Sequence, residues 1–261
     1  MTDLLNATDL SKTFPEKSRG KGTTALSHVS FSLAPGESLG VVGESGCGKT
    51  TLARILSGFL TPDQGSLLWE GRPFQSLTRD ERASKIQLIF QDPFSSLNPK
   101  LSVHTTLGEA LVQRARWDHG PQPSRKDLDE RVRETLSAVG LPRDAGALYP
   151  HQFSGGQRQR VAMARALAAG PQLLIADEPV SALDLSVQAQ ILNLLADLRE
   201  KLGLSLILIS HDLAVVQQMT DRVLVMAQGR VVEEGVSSEV LANPQAPETQ
   251  TLLSAVPVLL R

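Results

Sequence analysis

The sequence predicts an α/β protein with a mainly parallel sheet, an antiparallel β region at its N-terminus and an inserted helical segment. Three observations carry this prediction. Short apolar runs at 39–42, 86–90, 173–176, 204–209 and 223–226 alternate with stretches of helical spacing, the pattern of parallel strands covered by crossover helices. Before them Leu26, Val29, Phe31 and Leu33 stand among polar neighbours, as in half-buried antiparallel strands. Residues 94–152 are polar and helix-prone without a clear strand, so they break the alternation.

Taken in order, the N-terminal strands flank a charged, glycine-containing loop at 17–22. Strand 39–42 then runs into Gly43-Glu44-Ser45-Gly46-Cys47-Gly48-Lys49-Thr50, which fits G-x-x-x-x-G-K-[ST], and Thr51-Leu52-Ala53-Arg54-Ile55-Leu56 continues as a helix. Strand, glycine-rich loop and helix in that order mark a P-loop nucleoside triphosphatase core. The glycines let backbone N–H groups turn inward around a polyphosphate at the positive end of the helix dipole. Lys49 is placed to reach the β and γ phosphates and Thr50 to ligate Mg²⁺; Gly43 to Gly48 and Thr51 complete the expected nucleotide contacts. The loop alone says only that a nucleotide binds.

Within the insertion, 128–139 has apolar positions at helical spacing, while 114–126, with Pro121 and Pro123, reads as a loop. Gln228-Gly229 between two strand-like runs predicts a hairpin turn. From Asn243 onward the chain is rich in proline and polar residues and is expected to pack poorly. The resulting organisation is one nucleotide-binding domain over 1–242, a helical subdomain inserted at about 94–165, and a short tail at 243–261.

The 261 residues carry a net charge of −2, which favours neither nucleic acid nor an anionic membrane surface as the main partner. Cys47 is the one cysteine, so an intramolecular disulfide and a cysteine-based metal cluster are both excluded. Its variable position in the phosphate loop argues against a catalytic thiol. Met1-Thr2-Asp3-Leu4-Leu5 lacks the basic flank and long apolar core of a signal peptide. The longest apolar stretch, 204–209, is far below the roughly 20 residues that span a bilayer, so a cytosolic protein is expected, with membrane contact through a partner.

Two further segments narrow the choice among nucleotide-binding proteins. Leu173-Leu174-Ile175-Ala176-Asp177-Glu178 is an apolar strand ending in adjacent carboxylates. Such a strand delivers Asp177 to the carboxyl edge of the sheet, the edge at which a phosphate loop lies. There Asp177 can hold Mg²⁺ through water, and Glu178 can polarise a water attacking the γ-phosphate. Upstream, Phe153-Ser154-Gly155-Gly156-Gln157 precedes the helix-forming run 158–166. Ser154 can cap that helix, and the glycines expose N–H groups to an anion.

With the phosphate loop, the serine-glycine-glycine segment and the acidic strand in this order, the chain strongly resembles the nucleotide-binding subunit of an ATP-binding-cassette (ABC) transporter. The resemblance implies further roles. Gln91 matches the Q-loop glutamine, which touches Mg²⁺ and the attacking water; Ser181-Ala182-Leu183-Asp184 matches the D-loop, which contacts an opposing subunit; His211 matches the switch histidine on the γ-phosphate. Phe14 matches the residue that stacks on adenine, where the family usually has tyrosine, and Phe153 replaces the usual leucine of the signature. Ser95-Ser96-Leu97-Asn98-Pro99 and the run from Glu178 to Gln190 look like the dipeptide, oligopeptide and nickel importer ATPases.

Membership of that family would make the chain an ATPase that uses ATP and Mg²⁺. It would pair with a second such subunit, identical or related, and act on two transmembrane permease subunits at the cytoplasmic face of the membrane. An extracytoplasmic solute-binding protein would supply the solute. The phosphate loop of one subunit and the signature of the other, Ser154, Gly155, Gly156 and Gln157, would enclose each ATP. Rival readings are a soluble cassette ATPase acting on nucleic acid or ribosomes, a non-enzymatic nucleotide sensor, and an exporter ATPase. The segment 247–253 only approximates a P-Y-T-x-x-L-L pattern that leads, in many members, into a cysteine-bearing extension.

Overall fold

The computed structural model describes residues 2–15, 22–92 and 96–254. The expected loop at 17–22 therefore lies outside the described residues except for Gly22, as does Ser95. Two compact units make up the chain: Met1–Thr78 with Ser205–Arg261, and Arg79–Leu204.

The first unit opens with β1 (Leu5–Phe14) and β2 (Thr23–Leu33), paired antiparallel. Leu5, Ala7 and Leu10 of β1 and Leu26, Val29, Phe31 and Leu33 of β2 are buried, the inward set of a sheet with one wet face. Next comes β3 (Ser38–Gly43), buried at every position, with the polar Ser38 bonded to Asp221, and then α1 (Lys49–Leu56). A further strand, β4 (Gln64–Trp69), pairs with β1 and turns into the short β5 (Arg72–Pro73). The sequence did not mark β4, because its first half, Gln64-Gly65-Ser66, is polar and its strand state comes from pairing with β1.

The second unit begins with α2 (Arg79–Lys85) and β6 (Ile86–Ile89). Three long α-helices follow among the described residues: α3 (Val103–Trp117), α4 (Arg125–Ala138) and α5 (Gly155–Ala168). The expected loop at 114–126 is shorter than its composition suggested. Helix α3 runs to Trp117, and Ser124 caps α4 by accepting from Asp127 N, so only the proline-bearing segment between them is non-helical. Strand β7 (Leu173–Asp177) lies parallel to β6, with Ile86 opposite Leu173 and Ile89 opposite Ala176. The unit ends with α6 (Leu185–Leu202), stopped by Gly203 at φ 63°.

The chain then returns to the first unit through β8 (Ser205–Ile209), α7 (Leu213–Met219) and β9 (Arg222–Ala227). Both strands lie parallel to β3, one on each side. Gln228 and Gly229, at φ 49° and 79°, form the predicted hairpin into the antiparallel β10 (Arg230–Val236). Helices α8 (Ser237–Ala242) and α9 (Pro247–Ser254) complete the unit. Residues 243–254, expected with the rest of the tail to pack poorly, are instead docked, and 255–261 lie outside the described residues. Glu233 accepts hydrogen bonds from Gln245 N at 2.8 Å and Ala246 N at 3.0 Å, and Leu252 and Leu253 pack against the cluster that includes Val42, Val216, Val225 and Leu241. Polar composition concealed this docking because two leucines suffice for the contact. Among the described residues no helix is long and apolar enough to cross a membrane.

Candidate active site

The phosphate loop leaves the buried end of β3 and closes onto α1. Gly48 caps α1 at φ 112° and no side chain satisfies the helix N-terminus. Ser102, Ser124, Ser154 and Asp184, by contrast, accept N–H bonds at the starts of α3 to α6. The first-turn amides of α1 are thus left to an exogenous acceptor, as anion sites at helix starts require. Gly43 and Gly48 cannot carry a side chain. A Cβ on the first would meet Met226 O at 2.1 Å, and on the second Ala25 O at 2.3 Å.

Lys49 is only 7% exposed, and its ammonium donates to Gly43 O at 2.7 Å and Glu44 O at 2.9 Å. Those bonds offset the cost of burying the charge and hold it inside the loop. The β9–β10 turn supports the loop from another side, with Gly229 N donating to Cys47 O at 3.0 Å, a contact no sequence pattern announced. A cleft of 330 Å³ is walled by Glu44 to Cys47, by Met226 to Gln228 and by Glu248, Thr251 and Leu252 of α9. Burial pushes the Cys47 thiol up, against a smaller opposing pull from Lys49. That shift disfavours the reactive thiolate.

His211 follows β8 as the phosphate loop follows β3. Val41 is opposite Ile209 in the parallel register, so His211 leaves the same edge two residues on, level with Gly43. Asp212 beside it caps α7 by accepting from Ala214 N and Val215 N. Phe14, the last residue of β1, is 39% exposed, with Lys12 Nζ 6.0 Å from the ring centroid.

The second unit repeats the same geometry. Ile89 is opposite Ala176, so Gln91 and Glu178 both stand two residues past a matched pair. Gln91 Nε2 donates to Glu178 Oε2 at 3.0 Å and lies 3.4 Å from Ser181 Oγ. Glu178 adopts φ 46°, a left-handed conformation that costs a non-glycine residue energy and clusters at functional sites. Asp177, immediately before it, is buried. Ser181 was legible only as part of a subunit-facing loop; its place beside Gln91 comes from the turn in which Ser181 N donates to Glu178 O.

Ser154 caps α5 in a reciprocal box: its Oγ accepts from Gln157 N at 3.3 Å, and Gln157 Oε1 accepts from Ser154 N at 2.9 Å. Gly156 faces α6, where an added Cβ would meet Val187 Cγ1 at 2.4 Å. Asp184 caps α6, accepting from Val187 N at 3.0 Å and Ser186 Oγ at 2.8 Å. The Val187 N–H above all, and then the Ser186 hydroxyl, hold its carboxyl below the usual range.

The expected site residues therefore fall into two sets. Phe14, the loop from Gly43 to Thr51 and His211 belong to the first unit; Gln91, Ser154 to Gln157, Asp177, Glu178 and Asp184 belong to the second. Among the described residues no group of three or more His, Cys, Asp or Glu could cage a metal. The Thr50 hydroxyl in the first unit and the Asp177 carboxylate in the second are each hard oxygen donors of the kind Mg²⁺ accepts.

The ABC transporter family model matches residues 26–181. The chain is similar to the dipeptide transport ATP-binding protein DppF of Haemophilus influenzae, 46% identical over 265 residues that cover 99% of this chain and 79% of that protein. It is 50% identical over 241 residues to the oligopeptide transport ATP-binding protein OppF of Escherichia coli, covering 91% and 71%. Among solved structures it is similar to the dimeric post-hydrolysis state of the ATP-binding cassette MJ0796 bound to ADP and Pi, with TM-score 0.77, 29% identity and coverage of 89% and 98%. It is also similar to CbiO1 of Clostridium perfringens, part of the ABC transporter complex CbiONQ, with TM-score 0.76, 28% identity and coverage of 93% and 92%.

Proposed function

Since this chain belongs to the ABC transporter family and is an ATPase of that family, we propose that it powers the uptake of peptides or related small solutes. The names of its relatives, dipeptide and oligopeptide transport ATP-binding proteins, support that substrate class over nickel. The chain then works at the cytoplasmic face, bound to two permease subunits, with a solute-binding protein on the far side. Its partner is a second cassette subunit, and the dimeric state of a similar cassette supports that pairing. Residues 1–242 serve as the ATPase domain, 94–165 as its helical subdomain, and 243–261 as a tail.

In each site the loop from Gly43 to Thr51 of one subunit holds the phosphates, with Lys49 on the β and γ groups, and Phe14 stacks on adenine. Ser154, Gly155, Gly156 and Gln157 of the other subunit cover the nucleotide, and Asp184 sits in the loop that faces it. Mg²⁺, when bound, would be held by the Thr50 hydroxyl, Gln91 and Asp177 and would supply charge neutralisation at the phosphates. Glu178 takes the proton of the attacking water, His211 donates to the γ-phosphate, and Gln91 fixes the direction in which the carboxylate of Glu178 faces.

The observation that carries the catalytic reading is the bond from Gln91 Nε2 to Glu178 Oε2 at 3.0 Å. It joins the expected base to the segment expected to report on the permease. The test is ATP hydrolysis by the complete transporter carrying Glu178→Gln: ATP still binds and turnover stops. An unchanged rate overturns the assignment.

A further inference from the structure

Helix α5 carries a residue that the signature assignment leaves out. Gln159 is 1% exposed, and its Nε2 makes no hydrogen bond within the protein. An unmade bond on a buried amide is costly, and an apolar side chain of the same length would avoid that cost. Gln159 lines a cavity of 160 Å³ together with Gln91 and Asp92 after β6, Gly155 and Arg158 at the start of α5, and Pro179, Ala182 and Leu183 after β7. The cavity is where the segments after the two strands meet the signature helix. At roughly 30 Å³ of liquid volume per molecule it has room for a few waters, and it offers the polar partners that ordered water needs.

We propose that Gln159 is a positioning residue for hydrolysis: its amide donates to water in this cavity, and that water donates in turn to Oε1 of Gln91. Such a relay fixes the Gln91 amide with its nitrogen toward Glu178 Oε2, 3.0 Å away. Without it the amide is free to rotate and the carboxylate loses its orientation. The proposal rests on the catalytic reading of Gln91 and Glu178. It adds a physical route by which movement of the signature helix reaches the catalytic carboxylate.

The test uses the complete transporter complex with Gln159→Met, which keeps the length and removes the donor. Gln159→Leu is made alongside, so that whichever apolar variant melts at the temperature of the unaltered complex carries the kinetic comparison. The expected result is a kcat about tenfold lower with the KM for ATP within about twofold, the scale of one lost hydrogen bond made in the transition state. In a Gln91→Ala background the same substitution should produce no further fall, because the two residues act in series. A full rate for Gln159→Met beside a slow Gln91→Ala overturns this proposal alone. An equal fall in both backgrounds overturns it as well, since it assigns Gln159 a merely structural role. A full rate for Gln91→Ala overturns the parent reading and the relay together.

Discussion

Gln91 and Glu178 stand two residues beyond facing positions of neighbouring parallel strands, and the amide of the first holds the carboxylate of the second at 3.0 Å. The left-handed backbone at Glu178 turns its side chain out of the strand's own alternation. Together these features fix a carboxylate that would otherwise sweep freely at a strand end.

Replacing that carboxylate should therefore separate binding from chemistry. Glu178→Gln is expected to lower kcat by at least about 10²-fold, the scale of a lost general base, while ATP affinity persists. Phosphate release measures the first effect. Size-exclusion chromatography with ATP measures the second, as a closed dimer that no longer reopens.

Lys49→Ala removes the ammonium that links Gly43 O and Glu44 O and would grip phosphate. The unaltered protein at ATP a hundredfold above Kd should gain about 2.7 kcal/mol of stability. The variant should show no ATP-dependent rise in melting temperature at the same concentration.

Two glycines of one loop make opposite predictions. Gly48→Ala must hold φ 112° with its Cβ 2.3 Å from Ala25 O, so a loss of at least about 1–3 kcal/mol is expected. Gly46, at φ 81° with nothing within 4 Å, carries the backbone cost without the collision. Urea midpoints should rank Gly48→Ala well below Gly46→Ala.

Asp184 ties stability to pH. Its carboxyl is held below the usual range, chiefly by Val187 N–H, so its contribution is present above the ordinary carboxylate pKa. It is lost as pH falls through the lowered native value. The melting-temperature gap between the unaltered protein and Asp184→Ala should shrink on acidification, whereas a gap constant from neutral to strongly acid pH contradicts the capping role.

Burial raises the Cys47 thiol, so alkylation at neutral pH should be slow, and Cys47→Ala should hydrolyse ATP at close to the normal rate. Rapid labelling of the folded protein would contradict the burial.

The sheet and the phosphate loop were legible because their signals are local. Val41 and Val42 beside Gly43, or Ile175 and Ala176 before Asp177, announce strand ends by their own composition. What stayed hidden depends on partners distant in sequence. Strand β4 exists because Leu67 and Trp69 meet β1, and Gly229 reaches Cys47 only after the hairpin folds back. Gln159 has ordinary helix chemistry in sequence, and only its burial sets it apart. Ser181 acquires a place beside Gln91 through a turn that spacing cannot specify.

The docking of α9 bears on how the protein can be handled. A boundary drawn at 242, where the composition changes, would strip the Gln245 and Ala246 amides from Glu233. It would also bare the greasy patch that Leu252 and Leu253 cover and open one wall of the cleft beside Glu44 to Cys47. Shortened versions should therefore stick to one another and precipitate, and an affinity tag belongs beyond Ser254 or at the other terminus.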